Sequence, residues 1–317
     1  MVQLLKSELQ LRLSRALATL RDAGEPLEQR VHETRRQLKR LRAISALLVG
    51  DDNPLSTSDR LGVAAVARSL GRLRDPFAQL GVWREFSRTL EPQLASGVRL
   101  LLEQQQANTA ARERMRRTVQ RSERVLETLH DRVSRHGSSP AGDRLARKAW
   151  FCGMRAAYRK ARQRLRRARQ KSSWKRLHAL RRASQFHRYQ LHFLQEFVGK
   201  PLTPEVKIAA RLVDQLGLHH DLGAIERYLA TVPGPTSTQA RRALRERMQK
   251  LATSALRRAR RVFSDSPGAF ERKIRGYALQ RAQSMLALDR PGAVGARKVA
   301  DPLFLTAQIA GGSCSRS

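Results

Sequence analysis

The stretch from His32 to Arg42, HETRRQLKRLR, combines one histidine with closely spaced arginines and lysines. Guanidinium groups donate paired hydrogen bonds to phosphate or carboxylate oxygens, and a lysine adds a mobile point charge. On an α-helix these basic residues lie within about 80° of the histidine and span roughly 15 Å. We call this set the first stripe: His32, Arg35, Arg36, Lys39, Arg40 and Arg42. A row of this length suits a chain of anionic groups better than one small ligand.

The opposite arc of the same helix is apolar, which predicts that it packs against neighbouring helices. It carries Val31, Leu38, Leu41, Ile44 and Leu48. Charge runs are usually solvated surface helices, and that interpretation stays open. However, Glu33 is the only acid between His32 and Arg42, so ion pairing within the helix is scarce and anion binding is favoured.

A shift of 146 residues places the first stripe on a second, weaker copy in HALRRASQFHRY. We call the second stripe His178, Arg181, Arg182 and Arg188, with His192 one turn further on. Gln185 and Phe186 stand where the first copy has Lys39 and Arg40, so the second copy has fewer cations. The preceding helix could compensate through three weaker candidates, Arg159, Arg162 and Arg166.

The same shift aligns LGRLRD, residues 70–75, with LGLHHD, residues 216–221. The sequence RERM recurs at 112–115 and 245–248 with a shift of 133, so the second copy has lost 13 residues before that point. The repeat predicts two pseudo-twofold-related helical bundles of four or five helices each, at 1–136 and 143–288. We expect the remaining residues, 289–317, to be disordered.

The fold class is predicted to be all-α, because apolar residues recur at three and four positions and no strand pattern appears. The candidate helices are 3–22, 28–49, 57–80, 83–107, 109–134, 143–170, 173–198, 203–219, 221–231, 238–263 and 270–288.

The chain has 63 Lys and Arg against 27 Asp and Glu, a formal net charge of +36. A polyanionic partner would relieve the resulting repulsion within the folded state. The sequence has no run of about 20 apolar residues, so no membrane partner is expected. The N-terminus lacks the apolar core of a signal peptide, and two cysteines do not suggest a disulfide framework, so the cytoplasm is the expected location.

Two other kinds of function remain open alternatives. His219, His220 and Asp221 could form part of a metal-dependent phosphohydrolase site, although neighbouring helical residues point about 100° apart. Any basic helical protein could also bind nucleic-acid backbones. Aromatic residues make up only 5% of the chain, and each of the three tryptophans is expected to lie in the core: Trp83, Trp150 and Trp174. His187 lies opposite His178 on its helix and is expected to face other helices.

With HxxRRxLKRLR and LGxLxD, repeated as HxxRR and LGLHHD, the chain resembles the CHAD family, the conserved histidine α-helical domain. This resemblance implies two helical bundles around a basic groove or cavity that binds inorganic polyphosphate without catalysis, a cofactor or a metal, in some cases at polyphosphate granules. By position, the ligand-facing residues of the family correspond to His32, Arg35, Lys39, Arg42, His178, Arg181, Arg188 and His220. Arg74 stands where the first copy should have its second histidine. The ExExK signature of the CYTH domain, which some family members carry, is absent.

Overall fold

The computed structural model describes residues 2–48, 53–106, 109–137 and 140–288, and ten α-helices make up most of this part of the chain. No strand occurs in these described ranges, which confirms the all-α class. The helices are α1 (Val2–Arg21), α2 (Leu27–Ser45), α3 (Thr57–Phe86), α4 (Pro92–Gln106), α5 (Thr109–Arg135), α6 (Pro140–Gln170), α7 (Trp174–Val198), α8 (Thr203–Leu229), α9 (Pro235–Val262) and α10 (Pro267–Leu288). The segment 289–317, predicted to be disordered, lies outside the described residues.

Local sequence signals account for several helix ends. Ser56 caps α3 by accepting a hydrogen bond from the Asp59 backbone N–H at 3.1 Å, and the Asp59 carboxylate accepts one from the Ser56 N–H in return. Ser173 caps α7 by accepting one hydrogen bond, from the backbone N–H of Arg176 at 3.4 Å. Gly199 ends α7 with a φ of 80°, a conformation that favours glycine.

Two predicted helix breaks were wrong. The break expected near residue 81 falls at 87–91, between α3 and α4. Gly81 does not end a helix by itself, whereas Pro92 is tolerated in the first turn of a helix and therefore marks the start of α4. The break expected at His220 does not exist, and α8 continues to Leu229. No proline or capping residue interrupts α8 there, and Gly223 lies inside the helix where Trp174 approaches closely.

The helix contacts reproduce the internal repeat. In the first half α1 packs on α2, α2 on α3, and α5 on both α1 and α3. The second half repeats each contact with α6, α7, α8 and α9 in the corresponding roles. Helix α4 has no counterpart between α8 and α9, and it accounts for the residues that the second copy lacks.

Across the halves, equivalent helices meet: α2 contacts α7 and α3 contacts α8. Contact between equivalent elements is what a pseudo-twofold relation produces. The larger apolar core includes residues of both halves, for example Leu41 of α2, Leu126 of α5, Leu180 of α7 and Leu216 of α8. A smaller core lies where the ends of α3 and α8 meet α4 and α9. The predicted boundary between separate bundles at 136 and 143 stays a prediction.

Candidate functional site

The first stripe lies on the polar face of α2, as the spacing predicted. The five apolar residues on the opposite arc are buried: Val31, Leu38, Leu41, Ile44 and Leu48. His32 and Arg36 are exposed, and Arg35, Lys39, Arg40 and Arg42 are half-buried. Arg36 forms an ion pair with Glu33 at 2.9 Å, so part of its charge is used within the helix.

Each stripe sends one arginine to the glycine of the repeated LG motif. A Cβ placed on Gly71 of α3 would lie 3.0 Å from Nη2 of Arg35, and a Cβ on Gly217 of α8 would lie 3.8 Å from Nε of Arg181. These two arginines, like these two glycines, are related by the shift of 146 residues. In both copies a guanidinium therefore lies against the neighbouring helix, but only at Gly71 is the approach close enough to require the missing side chain. The LG motif is visible in the sequence, but the sequence does not reveal this role of its glycine.

Three cations from three helices meet beside the first stripe. Burial lowers the pKa of the Arg42 guanidinium, and the nearby positive charges of Arg182 on α7 and Arg68 on α3 lower it further. Arg68 and Arg182 are exposed. We call Arg42, Arg68 and Arg182 the arginine cluster. It joins the two stripes, and an anion placed there would relieve the repulsion among its members.

The equivalent position in the second copy is neutralised. The shift of 146 residues relates Arg42 to Arg188 and Arg68 to Asp214. Nη1 of Arg188 lies 3.0 Å from the Asp214 carboxylate and donates a hydrogen bond to it. Electrostatic repulsion between like charges in the first copy is thus replaced by an ion pair in the second, so the two stripes differ in charge by more than Gln185 alone. Arg68 was missed because nothing in its local sequence distinguishes it; comparing it with Asp214 in the repeat could have found it.

Aromatic rings surround the histidines of the second stripe. The ring of His178 stacks on Trp174 at 5.2 Å and on His220 at 4.6 Å between centroids. The guanidinium of Arg227 covers the Trp174 ring at 3.7 Å. Trp174 is half-buried in this group rather than in the core, which corrects the expectation for that tryptophan. Its position one turn before His178 was the available signal.

The environment of His178 disfavours its charged form. Burial lowers the pKa of His178 to about 4, and the positive charges of His220, Arg181, Arg182 and Arg227 add to the effect. The imidazole is therefore neutral near pH 7 in the unliganded protein. A bound anion would counter the surrounding positive charge and favour protonation.

The other histidines of this region have different roles. His187 is buried among Tyr158, Phe263 and Phe270, as expected, and burial lowers its pKa to about 3. His219 is also buried, whereas Nδ1 of His220 lies 3.0 Å from the Asp221 carboxylate.

Among the residues that the structure describes, no three His, Cys, Asp or Glu side chains are close enough to share a metal ion. No helix in those ranges is long and apolar enough to cross a membrane. Neither the metal-site alternative nor a membrane-spanning role gains support from these residues.

Arg40 and His192 lie together at a separate small depression among α1, α2 and α7. The Arg40 guanidinium lies 5.8 Å from the centre of the Tyr189 ring. Glu8 and Glu196 also line this depression, and burial and the Glu8 charge raise the pKa of Glu196. Arg12 also lines the depression and donates a hydrogen bond to the Glu8 carboxylate at 2.6 Å, so cations and carboxylates are mixed there.

The weaker candidates on α6 do not lie with the stripes. Helix α6 packs on the side of α7 that carries His187, half a turn away from His178. Arg162 donates a hydrogen bond to the Asp265 carbonyl at 2.6 Å, while Arg159 and Arg166 are exposed. Arg74 lies on α3, but its side chain is outside the described part of the structure.

Comparison with known proteins agrees with the motifs and the helix order. The family model described as "CHAD domain" matches residues 8–230, which is more than half of the chain. The crystal structure of the CHAD domain from the plant Ricinus communis matches with a TM-score of 0.55 at 18% identity, covering 83% of this chain and 91% of that one. No curated protein gives a significant match. At this identity the plant structure shows a shared fold, and the family model shows the relationship: the chain belongs to the CHAD domain family.

Proposed function

We propose that this protein binds inorganic polyphosphate along its two stripes and catalyses no reaction on it. The observation that carries the proposal is the arginine cluster, in which Arg42 is held half-buried beside two further cations. Placing like charges together weakens a fold unless a counter-charge binds. A flexible polymer of phosphates provides closely spaced anionic oxygens that guanidinium groups can contact in pairs.

The length of the site favours a polymer over a small anion. His32 and Arg42 are separated by roughly 15 Å along α2, and the second stripe continues the cationic surface on the adjacent α7. A long chain can contact both stripes at once, whereas tripolyphosphate can reach one region only. Binding should therefore strengthen with chain length and weaken with salt. In cells we expect the protein in the cytoplasm, at polyphosphate granules.

The repeat offers a matched pair of substitutions to test this proposal. Arg68→Asp gives the first copy the ion pair that Arg188 and Asp214 form in the second, and it should weaken long-chain polyphosphate binding several-fold. Asp214→Arg does the reverse and should tighten binding. For each phosphate that a variant no longer neutralises, the slope of log affinity against log salt should also become shallower, by about 0.7 if the value for single-stranded nucleic acids applies. Isothermal titration calorimetry at near-physiological salt measures both quantities.

Arg121→Asp provides the control, because Arg121 is exposed on α5 and the substitution changes net charge equally. If Arg121→Asp weakens binding as much as Arg68→Asp does, net charge rather than the arginine cluster controls affinity. Long chains that bind no more tightly than tripolyphosphate would contradict the two-stripe site. Release of phosphate that a chelator abolishes would contradict the absence of catalysis and restore the metal-dependent alternative.

A further inference from the structure

A second cationic surface lies along one exposed side of α6. Residues 144–195 contain no Asp or Glu. In the C-terminal half of α6, Arg159, Arg166 and Arg169 are exposed at spacings of seven and three residues, which places them along one side of the helix. Among the described residues, none of these three arginines has a carboxylate within ion-pair distance. We call these three arginines the outer row.

This surface is separate from the two stripes. Tyr158 of α6 contacts His187 of α7 with ring centres 5.3 Å apart, and His187 lies half a turn from His178. The outer row is therefore on the far side of α7 from the arginine cluster. An anion bound between α2 and α7 cannot contact both surfaces unless it extends around α7.

The end of α9 lies next to α6 and carries further exposed arginines. The Tyr158 hydroxyl donates to the carbonyl of Val262 at 3.4 Å, and Arg162 donates to that of Asp265 at 2.6 Å, so α9 ends beside the middle of α6. Three exposed arginines lie in the last two turns of α9: Arg257, Arg260 and Arg261. In the last turn of a helix, positive charge is also stabilised by the helix dipole.

The turn between α6 and α7 connects the outer row with the second stripe. Arg176 donates a hydrogen bond to the Arg167 carbonyl at 2.9 Å across this turn. Lys171 just after α6 and Lys175 in the first turn of α7 are both exposed. His178 follows one turn later. Cations therefore occur at each step from the outer row on α6, through the α6–α7 turn, to the second stripe on α7.

We propose that the outer row, with the end of α9, is a second polyphosphate-binding surface that long chains reach from the stripes around the α6–α7 turn. This proposal rests on the proposed function, since it assigns the same ligand to a further surface. The route covers about 12 Å of α7 and about 16 Å of α6 in addition to the turn. Only a long, flexible polymer can follow it.

Polyphosphate fits this surface better than a single-stranded nucleic acid does. Single strands bind through bases stacked on exposed aromatic rings as well as through phosphates. Tyr158 of α6 is buried together with Phe263 and Phe270, which its ring contacts. Trp174 at the α6–α7 turn is half-buried, and the Arg227 guanidinium covers its ring at 3.7 Å. A surface that offers only guanidinium and ammonium groups recognises the phosphate chain alone.

The test is a charge reversal of the outer row, Arg159→Glu/Arg166→Glu/Arg169→Glu, titrated by calorimetry with tripolyphosphate and with long-chain polyphosphate. Arg162 is left intact because it supports the α9–α10 connection. We expect long-chain affinity to fall at least tenfold and tripolyphosphate affinity to change less than about twofold. The matched control is Arg116→Glu/Arg121→Glu/Arg124→Glu on α5, where all three arginines are exposed.

Circular dichroism and thermal unfolding of each variant establish that the helices remain folded. If one variant unfolds, Arg166→Gln/Arg169→Gln measures the same surface with smaller changes. Unchanged long-chain affinity, or an equal loss in the α5 control, would overturn the second surface while leaving the stripes untouched. Loss of duplex DNA binding with polyphosphate binding intact would also overturn it. By contrast, failure of the Arg68→Asp and Asp214→Arg pair would refute the proposed function itself.

Discussion

Lowering the pH from 8 to 5.5 should tighten polyphosphate binding about tenfold, and His178 should account for the change. In the unliganded protein, burial, His220 and three arginines hold the pKa of His178 at about 4, well below its ordinary 6.5. Bound phosphates counter these positive charges. If binding restores the ordinary pKa, the imidazole at pH 5.5 is about ten times more often charged than neutral in the complex, but almost wholly neutral in the free protein. The free energy of that protonation then adds to binding.

The sign follows from the direction of the shift. A group whose pKa is lower in the free protein than in the complex takes up a proton on binding, so affinity rises as the pH falls. Calorimetry in two buffers of different ionisation enthalpy measures the proton uptake directly. Long chains are required, because the terminal phosphates of short chains titrate near pH 6 and would add their own pH dependence.

His178→Gln is the matched variant, since it keeps a polar side chain that cannot become charged. The variant should lose most of the tightening between pH 8 and 5.5, and its proton uptake should fall towards zero. Equal pH dependence in the wild type and the variant would refute the role assigned to His178.

Four further substitutions test the packing on which the site depends. Gly71→Ala should displace Arg35, whose Nη2 lies 3.0 Å from the new Cβ, and weaken polyphosphate binding roughly fivefold. The new Cβ of Gly217→Ala meets only ordinary contacts, so this variant should bind polyphosphate with unchanged affinity. In urea unfolding Gly217→Ala should be more stable than the wild type by up to about 1 kcal/mol, because alanine favours the helix over glycine. Gly153→Ala would place a Cβ against backbone carbonyls that follow α2, so we expect a loss of about 1–3 kcal/mol, and an unchanged urea midpoint would refute this close contact. The pKa of His187 is about 3 in the folded protein against 6.5 in the unfolded chain, so protonation of the unfolded chain should lower the free energy of unfolding by about 3 kcal/mol by pH 4. The free energy of unfolding of His187→Phe should therefore depend less on pH below 6.5. Identical acid unfolding of the variant and the wild type would contradict the buried, neutral state of His187.

Much of the fold could be predicted from the sequence because helical periodicity decides which face is buried. The apolar arc of α2 and the interior position of His187 followed from spacing alone. The ends of α3 and the continuity of α8 did not, because a glycine or a histidine pair has no fixed effect on a helix. In α8 the tertiary contact between Gly223 and Trp174 explains the glycine, and no local pattern reveals that contact.

The site was predictable where its residues share one helix and unpredictable where they come from several. The stripes of α2 and α7 appeared in the sequence because their spacing is regular. Arg68, Trp174 and Arg227 become part of the site only when α3, α7 and α8 pack together. The repeat relates Arg68 to Asp214, but only the structure shows that these residues sit beside equivalent arginines and give the two copies unequal charge.

Competition between polyphosphate and nucleic acid distinguishes a polyphosphate-binding protein from a general polyanion-binding one. Labelled long-chain polyphosphate is bound to the wild-type protein at near-physiological salt, and unlabelled polyphosphate, duplex DNA or tRNA is added at equal concentrations of phosphate. We predict that unlabelled polyphosphate displaces the label far more effectively than either nucleic acid, and that Arg35→Glu/Arg42→Glu abolishes most of the binding while the helices remain folded. Equal displacement by nucleic acid would show a general polyanion-binding protein and contradict the proposed preference for polyphosphate.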